Sequence, residues 1–309
     1  MQGRLGKVER DDRMWDPTST SRLGVTVTPR RPGFDFEGLE HEVPRAWHPD
    51  GIGPTAFLEA LSAMAPVVEG FFIDDARRLL PRVADGATRA EGDAFLRQEA
   101  AHANMHAGFN RLLVRWGVPV EPVADSVLRW LAVVDWTSSD LRSAVAMAGE
   151  HFLGEIGNAI LSRPELLDGV DPRIARLFRW HGFEEVEHKA VLFDVFHAAR
   201  GRGLYTYAVR IAGLWIAVVL LALALPSVSY RILASAGAGP ARVAGPHPLC
   251  LRAGRDAAGS MARRRRLPSA RFPPVAVPRQ PPPPLGAPRH DRRSRMGGRN
   301  ALSRPYLGY

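Results

Sequence analysis

Apolar residues recur at helical spacing in four long stretches of the chain, separated by breaks rich in proline and glycine. In the first stretch Phe57, Leu58, Leu61, Met64, Val68, Phe72 and Leu79 share a face. Gly53 is its permissive cap, Pro54 its first helical residue, and it breaks near Pro81. Pro66 falls inside this run and predicts a kink or a split. The second helix is expected from about Thr88 to Trp116, ending before Gly117 and Pro119. Val118–Asp125 reads as a loop and Val127–Val134 as a short helix. Ser138 or Ser139 caps a third long helix that runs to about Ser162. Asp171 and Pro172 supply the cap and first residue of a fourth, which continues to Gly201 or Gly203.

The flanks read differently. Residues 1–47 have no sustained periodicity beyond a short extended segment at Val25–Thr28, and are expected to be an irregular arm without chemistry of its own. Leu204–Leu225 is apolar, with no interruption from Ile211 to Leu225. Those 15 residues fall short of the roughly 20 that span a bilayer. Arg210, Tyr205, Tyr207 and Trp215 suit an interfacial flank. A buried fifth helix, a surface anchor and the first part of a membrane helix are all open. Residues 226–309 hold 14 of the 26 prolines, with Arg263–Arg266 and Pro281–Pro284 as homopolymeric runs, and are expected to be disordered. Such a tail suits anionic partners, or is what a shifted reading frame in GC-rich DNA produces. The chain thus divides into an arm (1–47), a helical bundle (48–203), an apolar helix (204–225) and a tail (226–309).

Charge follows the same division. The net formal charge is +9, but residues 226–309 contain 16 Arg, no Lys and only Asp256 and Asp291 as acids, which is +14. The remaining −5 belongs to residues 1–225. The basic pI therefore gives no reason to expect specific nucleic-acid binding by the helical part. Cys250 is the only cysteine, so no internal disulfide is available, and the first residues lack the apolar core of a secretory signal. A cytoplasmic protein is expected, with membrane association through 204–225 an open reading.

Chemistry concentrates in WHGFEEVEHKAVLFD, residues 180–194. His181, Glu185 and His188 are four and three residues apart and project from one narrow stripe of a helix. Glu184 sits at its edge and Glu187 points nearly opposite. Two imidazoles and a carboxylate without thiolates suit iron, manganese or zinc. The partners lie upstream. Glu99 and His102 form a second Glu-x-x-His pair, with His106 one turn further along. Glu69 lies among Val67, Val68, Phe71 and Phe72; on the third helix Glu150 is the acid taken to face the centre, Glu155 is the other acidic candidate, and His151 is expected at the surface or behind the ligands. A single Glu from each of two helices and a Glu-x-x-His from each of the other two is the ligand order of a ferritin-like di-iron bundle. The expected fold class is therefore all-α: a ferritin-like four-helix bundle with an extra C-terminal apolar helix.

VPRAWHPDGIGPTAFLEALSAMAPVVEGFFI, FLRQEAAHANMHAGFN and WHGFEEVEHKAVLFDV also resemble bacterial proteins named predicted metal-dependent hydrolases, assigned to the ferritin-like superfamily. The resemblance covers about residues 40–225. It implies a metal site at Glu69, Glu99, His102, Glu150, Glu185 and His188. A His one turn before the last Glu-x-x-His, here His181, is similar to p-aminobenzoate N-oxygenase-like di-iron enzymes, in which a third His binds one iron. The expected cofactor is two metal ions, iron first, with manganese or zinc as alternatives. The expected partners are a small-molecule substrate and an electron donor. Oxidation or N-oxygenation with O2, two-metal hydrolysis, and non-enzymatic metal binding are the functions left to weigh.

Overall fold

The computed structural model describes residues 26–30 and 32–237; the predicted tail beyond 237 and most of the arm before Thr26 lie outside the described residues. Among the described residues all regular structure is helical. The helices are α1 (Leu39–Glu42), α2 (Ile52–Leu79), α3 (Gly86–Arg115), α4 (Val120–Asp135), α5 (Ser139–Ser162), α6 (Pro172–His188), α7 (Val191–Arg200) and α8 (Leu204–Ser235). α2 packs along α3, and α5 along α6; α8 lies against both α5 and α2, and α7 against α3. Two apolar clusters form the core. One holds Trp47, Phe109, Leu112 and Phe178, the other Phe72, Phe95, Val195 and Phe196.

Four boundaries differ from the sequence expectation. Gly51, at φ 92°, is the cap of α2, so Pro54 is its third residue rather than its first. The predicted loop at Val118–Asp125 becomes helix from Val120, because Val120, Val123 and Ala124 bury their side chains and Pro122 is tolerated in a first turn. The fourth long helix is two. The regular helix is interrupted by a turn at Lys189 and Ala190, whose backbones stay in the right-handed region, and resumes at Val191, so that Val191, Leu192, Val195 and Phe196 are buried and α7 meets α3. At the other end of the fold, α8 runs through Pro226 to Ser235 and buries Val228, Ile232 and Leu233. The change of composition at 226 is therefore not a structural boundary.

α5 and α6 approach at two glycines. A Cβ on Gly157 would lie 2.5 Å from the Gly182 carbonyl oxygen and 2.9 Å from its Cα. Backbone cannot retreat as a flexible side chain can, so only glycine permits this separation. The contact lies two turns from Glu150 on α5 and within one turn of Glu185 on α6, and sets how closely those carboxylates face each other.

Pro66 does not split α2. It has no N–H to offer the Ser62 carbonyl one turn back, and the Asn110 side-chain amide donates to that carbonyl at 3.0 Å instead.

Glu59, fully buried in α2, ties down the segment before it: Arg45 Nη1 and Trp47 Nε1 donate to its Oε1 at 2.7 and 3.0 Å. Burial outweighs these partners and raises its pKa from the ordinary 4.5 to about 7. A carboxyl whose pKa rises on folding contributes stability fully below the unfolded value and loses it as pH rises through the folded value. We expect stability to fall by roughly 3 kcal/mol between pH 4.5 and 8 from this group, and Glu59→Gln to be spared. Urea melts of both proteins at pH 5 and pH 8 measure this; a gap that does not change with pH refutes it.

Candidate metal centre

Four helices bring their predicted residues to one point. Glu69 comes from α2, Glu99 and His102 from α3, Glu150 from α5, and His181, Glu185 and His188 from α6. Glu69, Glu99 and the His102 and His188 rings are fully buried, and Glu150 and Glu185 nearly so. Donor atoms of Glu99, His102, Glu185 and His188 lie within 4.8 Å of one another, and so do those of Glu69, His102 and His181. The two groups share His102. Glu185 Oε1 connects them further, lying 2.8 Å from His181 Nε2, 3.4 Å from His102 Nδ1 and 3.9 Å from His188 Nδ1. His188 Nδ1 is 2.7 Å from Glu99 Oε1 and 3.1 Å from Glu150 Oε1.

Only the His181 Nε2–Glu185 Oε1 approach has hydrogen-bond geometry; the others do not. Both oxygens of Glu69, Glu99 and Glu150, Oε2 of Glu185, and Nδ1 of His102 and His188 are buried without an aligned hydrogen-bond partner. Buried polar atoms in native proteins are nearly always paired, so nine orphans in one cluster mark a place for something that accepts lone pairs. The electrostatics agree. Burial, and then the neighbouring carboxylates, push Glu150 far above the ordinary range; the same holds for Glu69, where His102 opposes it. Burial works against charge on Glu99 and Glu185 as well, but there the histidines win and both are held low. His188 is raised to about 10 against its burial by Glu99 and Glu150. Four carboxylates demand positive charge, and two divalent ions would balance them.

The outer nitrogens of the rings are held. His102 Nε2 donates to Glu184 Oε2 at 3.0 Å, and His188 Nε2 donates to Gln98 Oε1 at 2.9 Å. An imidazole that donates outward to a carboxylate or amide oxygen presents its other nitrogen inward as a donor to metal. Glu184 and Glu187 are gathered by Arg30, which reaches Glu184 at 3.1 Å and makes two contacts to Glu187 at 3.0 and 2.8 Å. Gln98 Nε2 bonds Glu187 and the Thr28 carbonyl. The N-terminal arm, read from sequence as chemically silent, thus supplies the outermost layer of the centre.

His181 is oriented by a different chain. Its Nδ1 is 2.7 Å from His106 Nε2, His106 Nδ1 is 2.8 Å from Ser62 Oγ, and Ser62 Oγ donates to Asn110 Oδ1 at 2.8 Å. The Ser62 carbonyl accepts only, so the Asn110 nitrogen must face it and the oxygen must face Ser62 Oγ. Ser62 spends its proton there and must accept from His106 Nδ1–H. His106 Nε2 then accepts from His181 Nδ1–H. Burial and the neighbouring histidines lower both pKa values and keep both rings neutral, with one proton each. The opposite direction would set the Ser62 and Asn110 oxygens against each other without a proton. The His181 Nε2 lone pair therefore faces Glu69 and, at hydrogen-bond distance, Glu185, an arrangement that calls for a cation or a proton between them.

Comparison with known protein families places this centre in context: residues 28–265 match the family described as predicted metal-dependent hydrolase. The chain belongs to that family. The match takes in every helix described above and runs some forty residues past the composition change at 226. No curated protein and no solved structure matches the chain.

In this family member all seven sequence-predicted residues meet in the centre, while His151 is exposed and Glu155 pairs with Lys189. Sequence reasoning missed Gln98, Glu184, Glu187 and Arg30, whose partners are distant in the chain. His106 had a signal: it stands one turn from His102, on the same face. Phe71 and Phe72, given no role from sequence, line an apolar cavity of about 140 Å³ that adjoins the centre at Glu185, His181 and His106. Its other walls include Met64, Val68, Leu131 and Phe152.

Proposed function

We propose that the centre binds two metal ions, iron in the working protein, and that the protein oxidises an organic substrate with O2, on a ferritin-like arrangement of four helices. The observation that carries this reading is the cavity. Its only ionisable lining groups are His106, His181 and Glu185, all at the centre, and every other wall is aliphatic, aromatic or glycine. A hydrolase needs donors to hold a carbonyl or phosphoryl group and its leaving group; an oxidase or oxygenase needs a dry space beside the metals.

Bound iron supplies O2 reduction and oxidation of an adjacent substrate. The chain supplies the rest. His102, His181 and His188 would each offer one inward nitrogen, His188 giving up to the metal the proton that Glu99 and Glu150 otherwise hold on it. Glu69, Glu99, Glu150 and Glu185 would hold the ions and offset their charge, Glu99 and Glu185 each lying close to more than one histidine. Trp180 and Phe95, with ring centroids 4.9 Å from His102 and His188, exclude water behind the ligands. An electron donor is a required partner.

The family's description favours a second reading, two-metal hydrolysis with activated water. Metal analysis and turnover assays separate the two. We expect two iron equivalents per chain and O2 uptake by the ferrous protein with reductant. Ester or amide cleavage by the zinc-loaded protein without O2 uptake by the iron form would establish the hydrolase, and iron uptake far beyond two equivalents would indicate storage. Protein that retains no iron, manganese or zinc after reconstitution sinks all three.

A further inference from the structure

α8 has two apolar faces with different partners. Ala217, Leu220, Leu221 and Ala224 form a wall of the cavity beside the centre. On the other side Leu204, Ile211, Trp215, Val219, Leu223 and Tyr230 recur at helical spacing and are exposed, Trp215 by 64% and Leu223 by 63%. Between Arg210 and Arg231 the helix carries no charge for the 20 residues Ile211–Tyr230, about 30 Å of helix and the thickness of a bilayer's hydrocarbon. Its mean hydropathy reaches 2.5, with only 22% of that window buried in the protein. A stripe this long and apolar is not left to water. The sequence from 226 onward bears 16 Arg against two acids, the complement of anionic headgroups.

We propose that the exposed stripe of α8 is buried in a lipid bilayer, and that the cavity on its inner side takes the hydrocarbon chain of a membrane-dissolved substrate, with the chain's reacting end at His181 and Glu185. The choice of reacting end rests on the metal-centre reading above; the apolar cavity and the stripe do not. One helix, small-sided at Ala217 and Ala224, separates lipid from cavity. A long-chain substrate then need not cross water to reach the centre.

Two measurements on the full chain test this. Flotation with vesicles of phosphatidylcholine and phosphatidylglycerol should carry the wild type upward. The Val219→Glu, Leu223→Lys double variant, folded by circular dichroism, should stay down. Binding of cis-parinaric acid, followed by its fluorescence, should weaken at least tenfold in Ala217→Trp, which fills the cavity and leaves flotation intact. Leu221→Trp, at a half-buried position of the same wall, serves if Ala217→Trp does not fold. Wild type that fails to float, parinarate affinity unmoved by a folded cavity variant, or a stripe that mediates a dimer without binding vesicles would overturn the proposal. Metal content read on the same samples keeps the two readings apart: loss of metal alone counts against the centre, and loss of flotation or probe binding alone counts against this inference.

Discussion

Glu185→Ala should empty the metal centre without unfolding the protein. This carboxylate lies within 4 Å of all three inward-facing histidines, which between them span both donor groups, so its loss should weaken the hold on each proposed ion at once. The fall in affinity should exceed the 10- to 100-fold that outer hydrogen-bond partners cost, taking bound metal from two ions to less than one after equilibrium dialysis. The metal-free variant should stay folded but melt somewhat lower than the metal-free wild type. The histidines hold Glu185 low, so its charge is stabilised in the metal-free cluster, and removing it leaves them without that partner. Relief of its repulsion on Glu69, Glu99 and Glu150 offsets part of this loss. Retention of two tightly held ions would show that Glu185 is not a shared ligand, and a collapse of the metal-free melt would show that its role is structural.

The second large effect should come from a residue that touches no metal. His106→Phe keeps a ring in the same space but removes the acceptor for His181 Nδ1–H. His181 is then free to protonate Nε2 toward Glu185. We expect affinity for one ion to drop 10- to 100-fold while the other, held by His188, Glu99 and Glu150, is retained. Ser62→Ala and Asn110→Ala should each give a smaller loss. The direct readout is the tautomer itself. Long-range ¹H–¹⁵N spectra of the metal-free wild type should show His106 and His181 both protonated at Nδ1; an Nε2–H form of His181 contradicts the relay whatever the variants do.

The inward-facing residues of the centre were legible in the sequence because helical spacing is a local property. Glu99 with His102, and Glu185 with His188, must share a face once the segment is helical; Glu69 stood out by its apolar surroundings, and Glu150 as an acid on the third long helix. The family resemblance added order to the same six residues. What surrounds them was not legible. Arg30 meets Glu187 across 157 positions and Gln98 meets His188 across 90, and no periodicity encodes such pairs. Pro66 illustrates a different limit. Its rule predicts a kink or split, yet α2 continues because Asn110, 48 positions from Ser62, donates to the carbonyl that proline leaves vacant. The end of α8 was missed for a third reason. Composition changes at Pro226, but burial of Val228, Ile232 and Leu233 carries the helix on to Ser235.

The clasp of Arg30 on Glu184 and Glu187 also orders events in time. Contacts between distant positions form late, since the intervening chain must first be closed into a loop. A nascent chain emerging from its N-terminus exposes Glu69, then Glu99 and His102, then Glu150, and each of these alone is a weak and unselective chelator. Only when α6 arrives can His181, Glu185 and His188 complete the cluster, and only then does Arg30 find its carboxylates. On the metal-centre reading, a chain that has not yet added α6 offers Glu69, Glu99, His102 and Glu150 without the three residues that complete the cluster.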